Sequence, residues 1–358
     1  MKRILRAVSA VVTALLLTAA GAITLASVTS CAPALAAAPA HAVAAPPAPA
    51  APPAAGQTTI DGAQQLTPDR YYHQAWELID KNFLYRDRLT DWAKWEHKYD
   101  GKLNTFVDAE QAINDMADSL GDKYTYFKSA TLTKAKQDRD DATNVVSHRM
   151  LAGKIGYIRI QTFSSNHTAE ETEAALKALS GANGYILDLR GNLGGYVKEA
   201  LLVFSLFVDD GTFTVLKGQH DGKTYSETMV VTAQQVETTE NGSLTTSARN
   251  ANLTGRKPVV VLVNGDTASA SEMLSGALRD NGRIEILGTQ TFGKGIAQIT
   301  PSLPRETSVQ ITYARYFLPG GSSIHGVGIT PDRVVKQSGH GDRQLDEAAA
   351  TIARKVRR

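Results

Sequence analysis

The stretch of this sequence that decides the fold is 264–298. It opens with NGDTASASE at Asn264, directly after the apolar run Val259–Val263, and closes with GTQTFGKGIAQ at Gln298. The β-branched run predicts a buried strand, and apolar residues at helical spacing follow the first motif. Ser269 therefore lies where a buried strand passes into the N-terminus of a helix.

Ser269 has the surroundings that a nucleophilic serine requires. Backbone N–H groups without helical partners and the positive end of the helix dipole favour negative charge at a helix N-terminus. An oxyanion formed beside this serine would be stabilised there. The alternative is a purely structural role, because serine is a common helix N-cap.

Lys294, which follows Ser269 by 25 residues, is a candidate general base. It lies between two glycines and close to Phe292 and Ile296, a setting that favours removal of its ammonium group from water. Burial lowers the pKa of a lysine, by roughly 3–5 units when it is complete. A neutral amine would accept the proton of a serine, and serine–lysine pairs are a recognised form of nucleophilic catalysis.

The pairing of TASASE with TFGKGIAQ resembles the carboxyl-terminal (tail-specific) processing proteases, a family of serine–lysine peptidases. The resemblance implies that Ser269 is the nucleophile, Lys294 the base and Gln298 the residue that orients the base. A straight strand would hold Lys294 and Gln298 roughly 13 Å apart on one face. Their contact therefore requires a bend at Gly293 or Gly295. No metal or cofactor is expected.

Two further motifs extend the resemblance. The segment 188–195 reads DLRGNLGG, and the segment 316–332 reads YFLPGGSSIHGVGITPD. The first motif implies an oxyanion hole formed by the N–H groups of Gly194 and Ala270. His325 falls at a variable position of the second motif and is predicted to lie on the surface.

The predicted fold class is α/β, because strand and helix patterns alternate through the second half of the chain. The resemblance implies a ββα superhelical catalytic core, crotonase-like or ClpP-like, with a small N-terminal helical domain. Helical periods begin after Thr67 and Thr105, both typical N-caps. Asp188 and Arg190 are expected to brace the glycine-rich turn, and the polar stretch 234–255 is predicted to be a surface loop.

The connector at 129–152 departs from the family pattern. The family usually carries a PDZ domain here, whereas this stretch is short and polar, with DRDD in its middle. We expect a helix or a flexible connector with solvated charges, and hence a PDZ-less member. The predicted divisions are a signal peptide with a lipobox (1–31), an Ala/Pro-rich linker (32–60), an N-terminal helical domain (61–128), the connector (129–152), the catalytic core (153–338) and a C-terminal helix (339–358).

The N-terminus predicts export, because a basic start precedes a long apolar stretch. Three kinds of processing remain open. VTSC, ending at Cys31, resembles a bacterial lipobox; ALA at 34–36 resembles a signal-peptidase site; and the apolar stretch is long enough for a transmembrane anchor. A lipid on Cys31 is favoured, which predicts a membrane-anchored lipoprotein of the bacterial cell envelope, periplasmic or extracytoplasmic.

Composition argues against several classes of function. The formal net charge is +2 and becomes −1 without the three basic residues of the start, so nucleic acid is not an expected partner. Cys31 is the single cysteine, which excludes an intramolecular disulfide and a cysteine metal cluster. The near match of 288–294 to a phosphate-binding loop lacks the hydroxyl residue after the lysine and leads into a strand pattern.

Two main hypotheses of function follow. The first is an exported serine endopeptidase that cleaves protein or peptide substrates through an acyl-enzyme, with an adaptor or a second copy of the chain as open partners. The alternative is a non-catalytic protein on the same fold that binds peptide or lipid, which the missing PDZ domain motivates. A third hypothesis, another kind of acyl hydrolase, is disfavoured because the sequence contains no G-x-S-x-G motif.

Overall fold

The alternation of strand and helix patterns gives two β-sheets with flanking helices in this computed structural model. The structure describes residues 65–337, 339 and 341–357. The predicted signal peptide, the predicted lipidation site Cys31 and the Ala/Pro-rich linker lie outside these residues. Within the described ranges, no helix is both long enough and apolar enough to cross a membrane.

The helices confirm the two starts that were predicted from threonine N-caps. Thr67 accepts the N–H of Arg70, and Thr105 forms a capping box with Asp108. The helices are α1 (Pro68–Asn82), α2 (Trp92–His97), α3 (Phe106–Asp118), α4 (Ala130–Asp140), α5 (Thr168–Ala178), α6 (Val197–Ser205), α7 (Ala270–Asp280) and α8 (Arg343–Val356).

The strands form one mainly parallel and one antiparallel sheet. They are β1 (Tyr126–Lys128), β2 (Val146–Leu151), β3 (Ile155–Ile160), β4 (Gly184–Asp188), β5 (Gly211–His220), β6 (Lys223–Val231), β7 (Val236–Glu240), β8 (Ser243–Ser247), β9 (Val259–Val263), β10 (Glu285–Gly288), β11 (Ile296–Ile299), β12 (Ser302–Leu303), β13 (Thr307–Phe317) and β14 (Arg333–Val334). The first sheet has the order β14-β10-β9-β4-β3-β2, with only β2 antiparallel. The second has the order β1-β13-β5-β6-β7-β8, and β11 and β12 also pair with β13.

Strand β9 lies in the middle of the first sheet and is buried along its whole length. Val259, Val261 and Val263 belong to the core cluster that includes α5, α6 and α7. Val260 and Leu262 belong to a second cluster, with α8. Because successive side chains of a strand point to opposite faces, helices cover this sheet on both sides. The prediction of a mixed α/β fold with a buried strand before Ser269 is confirmed.

The N-terminal helices share their core with the second sheet. Ile79 of α1 and Ile113 of α3 are fully buried in one cluster with Val309 and Ile311 of β13. The described residues form a single compact unit. Within the described part of the stretch predicted as an N-terminal helical domain, 61–128, the helices α1 and α3 therefore pack on the antiparallel sheet.

Two stretches differ from the sequence-based expectation. The connector 129–152 holds not only the helix α4 but also β2, which pairs with β3 along its full length. The stretch 234–255, expected to be a surface loop, contains the hairpin of β7 and β8, which extends the second sheet. Strands β2 and β8 are largely exposed and lie at the edges of their sheets, whereas β7 lies between β6 and β8 and is partly buried. An edge strand needs no continuous apolar face, so its polar sequence does not identify it as a strand.

Arg190 braces the turn after β4, as predicted. Its guanidinium donates to both carboxylate oxygens of the buried Asp188, at 2.6 and 2.9 Å. It also donates to Asp342 at 2.8 Å and to Gln344 at 3.0 Å. Asp342 is the N-cap of α8. Its hydrogen bonds with Arg190 lower the pKa of its carboxyl. One side chain therefore joins the glycine-rich motif to the C-terminal helix.

We predict that the change Arg190→Met destabilises the fold strongly. The variant leaves the Asp188 carboxylate buried without its cationic partner, and breaking a buried ion pair in this way costs about 3–5 kcal/mol. Denaturant titration measures the free energy of unfolding. The matched control is Arg256→Met on an exposed turn, where we expect a change within about 0.5 kcal/mol. Equal stability of the two variants would contradict the bracing role.

Candidate active site

Ser269 lies at a strained turn between β9 and α7. Its φ is 58° and its ψ is −120°, a combination that residues other than glycine rarely adopt and that costs roughly 1–3 kcal/mol. The preceding turn is fixed by Thr267, whose hydroxyl donates to Leu189 O at 2.9 Å and accepts from Asn264 N–H at 3.0 Å. These bonds hold the half-buried Ser269 side chain at the edge of a cleft.

The glycine-rich motif passes directly beside Ser269. A Cβ added to Gly194 would lie 2.8 Å from Ser269 Cβ and 2.9 Å from Ala270 N. A Cβ on Gly195 would lie 2.1 Å from the carbonyl carbon of Phe163. Side chains do not approach backbone this closely, so both positions require glycine for the loop to reach the serine.

The two predicted oxyanion-hole donors differ in their surroundings. Ala270 is the first residue of α7, so its N–H belongs to the turn where helical acceptors are missing. The Gly194 N–H donates to Asn192 Oδ1 at 2.9 Å. The buried Asn192 in turn donates to Ile160 O at 3.0 Å. In this conformation the Gly194 donor is therefore occupied by a neighbouring side chain.

Lys294 is largely removed from water. Its ammonium lies 4.9 Å from the centre of the Tyr124 ring. Burial lowers the pKa of Lys294; the carboxylates of Asp122 and Glu272 oppose this effect, and Lys123 adds to it. The structure thus gives the lysine the kind of environment that the sequence suggested, although a tyrosine distant in the sequence supplies part of it.

Gln298 lies on β11 and faces the same cleft. Its amide nitrogen is buried and has no hydrogen-bond partner within the described part of the chain. The pairing of β11 with β13 shifts register between Ala297 and Gln298. Gly293 has a φ of 89°, which turns the chain before β11, as predicted. The chain thus departs from a straight strand at two places between Gly293 and Gln298, one more than expected.

The buried carboxylate of Glu272 connects the motif that carries Ser269 with the motif that carries Lys294. One oxygen accepts the N–H of Ser269 at 2.8 Å and the N–H of Lys294 at 2.9 Å. The other accepts the N–H of Gly293 at 2.7 Å and the hydroxyl of Thr291 at 2.5 Å. Four donors on two separate turns are therefore satisfied by one side chain, which fixes the two turns relative to each other.

Tyr316 makes a second connection between the same two turns. Its buried hydroxyl lies 3.0 Å from Ser269 O and 2.7 Å from Lys294 O. Burial raises the pKa of Tyr316 well above its usual value, so the phenol stays protonated as a donor. Backbone groups on both sides of the predicted serine and lysine are thus held in place, by Glu272 and by Tyr316.

The predicted side chains meet in one cleft of about 720 Å³. Ser269, Lys294, Gln298 and Gly194 all line it, whereas Ala270 is buried next to Ser269. The tyrosines and basic side chains of the other walls come from the antiparallel sheet, from α4 and from the start of α6: Tyr126, Lys128, Lys136, Arg139, Tyr196, Tyr313 and Tyr316.

His325 is half-buried and not a plain surface residue. A Cβ on Gly295 would lie 2.6 Å from the backbone nitrogen of His325, so the two segments pack tightly. The histidine Nδ1 is buried and has no hydrogen-bond partner among the described residues. Burial lowers the pKa of His325. The expectation of a surface position was therefore wrong, because the closing loop folds over Gly295.

Sequence reasoning missed Glu272, Tyr316 and Lys128 as residues of this site. Glu272 had a local signal, since serine followed three residues later by glutamate is the capping-box pattern. Tyr316 begins the closing motif 316–332, but its contacts with the serine and lysine turns were not predicted, and Lys128 had no local signal. Each reaches the cleft from an element distant in the sequence from the serine motif.

Comparison with known families and proteins agrees with this geometry. The model of the family described as Peptidase family S41 matches residues 154–335. A carboxy-terminal-processing protease of Bartonella bacilliformis is 37% identical over 250 residues, which are 67% of this chain and 53% of the relative. The carboxy-terminal processing protease CtpA of Bacillus subtilis is 35% identical over 198 residues, which are 55% of this chain and 38% of the relative. This chain spans about half the length of the curated relatives that it matches, or less.

Solved structures share the fold at lower identity. A lipoprotein from Streptococcus agalactiae superposes with a TM-score of 0.61 at 17% identity, over 81% of this chain and 97% of that chain. The photosystem II D1 C-terminal processing protease superposes with a TM-score of 0.55 at 21% identity, over 76% of this chain and 94% of that chain.

The role of Glu272 leads to a stability prediction. In Glu272→Gln an amide NH₂ replaces one carboxylate oxygen and faces backbone N–H donors, leaving them without an acceptor. We expect the free energy of unfolding to fall by about 1–3 kcal/mol, measured by urea titration. The control Glu306→Gln changes an exposed glutamate and should leave stability unchanged. Identical curves for both variants would show that the connection is dispensable.

Proposed function

This chain belongs to peptidase family S41, and we propose that it is a serine endopeptidase acting on protein or peptide substrates. The observation that carries the proposal is the single cleft described above. It holds Ser269 at a strained turn, a lysine whose pKa burial lowers, and a glycine loop against the serine. The relatives named as carboxyl-terminal processing proteases support the same activity.

In the proposed reaction Ser269 is the nucleophile and Lys294 the general base. Neutral Lys294 takes the hydroxyl proton as Ser269 Oγ attacks the peptide carbonyl carbon, which gives a tetrahedral oxyanion. The lysine ammonium then protonates the leaving amine, and the C–N bond breaks to leave an acyl-enzyme. Water, deprotonated by Lys294, hydrolyses the ester, and the proton returns to Ser269.

We assign the oxyanion hole to the N–H groups of Ala270 and Gly194. The close approach of Gly194 to Ser269 and the position of Ala270 at the start of α7 support this assignment. For Gly194 the role requires that Asn192 Oδ1 gives up the N–H that it now accepts. Loss of one such donor typically lowers the rate by about 10²–10³-fold.

Gln298 is proposed to orient Lys294. Its position in the cleft and its unpartnered amide nitrogen support this role, because a buried donor needs an acceptor. The oxygen of the same amide is free to accept from the Lys294 ammonium when that group carries the proton.

The finer fold and location assignments also belong to this proposal. The order of strands and helices supports a ββα superhelical core, and the connector 129–152 stands where the family carries a PDZ domain. The signal-like N-terminus and the lipobox at Cys31 support export to the bacterial cell envelope, with a lipid as the anchor. An adaptor or a second copy of the chain remains an open partner.

The changes Ser269→Ala and Lys294→Ala should each abolish cleavage. Loss of the nucleophile or the base lowers kcat by about 10⁴–10⁶-fold in a serine peptidase. The measurement is the release of fragments from an unfolded protein by the full chain. The exposed residues Ser243 and Lys336 provide controls, since their alanine variants should cleave like the parent. If the parent is folded and binds peptide or lipid but cleaves nothing, the binding-protein hypothesis replaces this one.

The pH dependence of kcat/KM should report the loss of the Lys294 proton. Burial lowers this pKa, so the neutral base forms below the ordinary lysine value of about 10.4. We expect kcat/KM to rise with pH and to level off with an apparent pKa below that value. Because the Asp122 carboxylate stabilises the ammonium, Asp122→Asn should move the rise to lower pH. If the pH profile of kcat/KM is the same for Asp122→Asn and the parent, this interpretation is wrong.

A further inference from the structure

Lys128 is a buried cation that the proposed reaction does not use. It ends β1, lines the cleft and is only 8% exposed. Within the described part of the chain its ammonium makes no hydrogen bond and no ion pair, and its ring contact is Tyr126, with 5.6 Å from Nζ to the ring centre. A buried charge without a partner is costly. An anion bound beside Lys128 would therefore be stabilised.

Among the described residues that line this cleft, the one acidic side chain is already engaged. Asp140 accepts from Lys136 Nζ at 2.8 Å with one oxygen and from the Tyr196 hydroxyl with the other. Asp140 is therefore paired with Lys136 and acts on Lys128 only through space, and among the described residues no carboxylate forms an ion pair with Lys128. Burial, together with the charges of Lys136 and Arg139, lowers the pKa of Lys128 to about 8.

We propose that Lys128, with Arg139 beside it, forms a subsite that binds a carboxylate of the peptide in the cleft. The inference rests on the proposed function, because it requires that the cleft receives a peptide. A carboxylate would gain charge-assisted hydrogen bonds from the ammonium and remove the unfavourable burial of an isolated charge. The subsite would combine Lys128 at the end of β1 with Arg139 of α4, which lies in the connector 129–152.

The strand register gives the spacing of this subsite from the catalytic residues. Lys128 lies opposite Ser308 and Gln298 lies opposite Thr312 on β13. Four residues of a strand span roughly 13 Å, and an extended peptide rises by the same amount. For a peptide that lies extended along β13, the carboxylate would therefore be about four residues from the peptide residue next to Gln298. The bound carboxylate would belong either to an acidic side chain or to the C-terminus of the peptide.

The test measures binding without turnover, in the full chain carrying Ser269→Ala. The probes are fluorescein-labelled octapeptides of alanine, serine and valine with an amidated C-terminus. Glutamate or glutamine is placed at each position in turn, and one further peptide has a free C-terminal carboxylate. We expect one acidic probe to bind about ten-fold more tightly than its neutral partner. A glutamate at one position would identify an acidic side chain as the ligand, and the free-acid probe would identify the peptide terminus.

Further variants, made in the chain that carries Ser269→Ala, test whether Lys128 causes the preference for the acidic probe. Lys128→Met should bring the acidic-to-neutral ratio of dissociation constants to about one, whereas Lys134→Met, an exposed lysine on α4, should leave the ratio unchanged. Equal binding of every acidic and neutral pair, or a preference that survives Lys128→Met, overturns the proposal. Cleavage by the unmodified chain is assayed separately, so a chain that binds acidic probes through Lys128 but cleaves none overturns only the proposed function.

A pH series covers the case in which Lys128→Met does not fold. The groups that face Lys128 are Lys136, Arg139 and Asp140 from α4 and Lys294 from the opposite wall. Binding needs the ammonium form, so the preference is present below pH of about 8 and declines above it. Lys128→Arg should keep the preference at high pH, since a guanidinium stays charged. A preference that is independent of pH in both proteins contradicts the assignment to Lys128.

Discussion

The buried carboxylate of Glu272 is the interaction on which the candidate active site depends. Its oxygens accept backbone N–H groups from Ser269 on one turn and from Gly293 and Lys294 on another. A carboxylate removed from water needs such partners, and backbone donors supply them at fixed positions. The relative position of the proposed nucleophile and base, Ser269 and Lys294, therefore rests on main-chain geometry.

The fixed position of the two turns requires that the structure around them is rigid. The φ of Ser269 and the burial of Lys294 both raise the local free energy of the folded chain, and such features persist only where the rest of the structure over-determines them. Strand β9, buried on both faces, fixes the start of the serine turn. Tyr316 fixes the carbonyl groups of both turns from the antiparallel sheet. The two sheets thus meet at the site, and each holds one side of it.

The sequence predicted the parts of the fold that local patterns encode. Strand β9 is continuously apolar, α3 has a capping box, and the residues Ser269, Lys294 and Gln298 do line one cleft. The strands β2, β7 and β8 were missed because their sequences are polar and carry no apolar period; β2 and β8 are exposed edge strands, and β7 is only partly buried. The contributions of Tyr316 and Lys128 were missed because their contacts join elements far apart in the chain, and such contacts leave no trace in a short window of sequence.

The side chain of Arg190 has a consequence for the order of events in biosynthesis. Its partner Asp342 lies 152 positions further along the chain, and a ribosome makes the glycine-rich motif long before it makes α8. Until then Arg190 has only Asp188, and the turn that carries Gly194 lacks its outer support. A growing polypeptide therefore contains Ser269, Lys294 and the glycines before the glycine-rich turn has its contact with Asp342. The support of this turn by Arg190 is thus complete only after the start of α8 has been made.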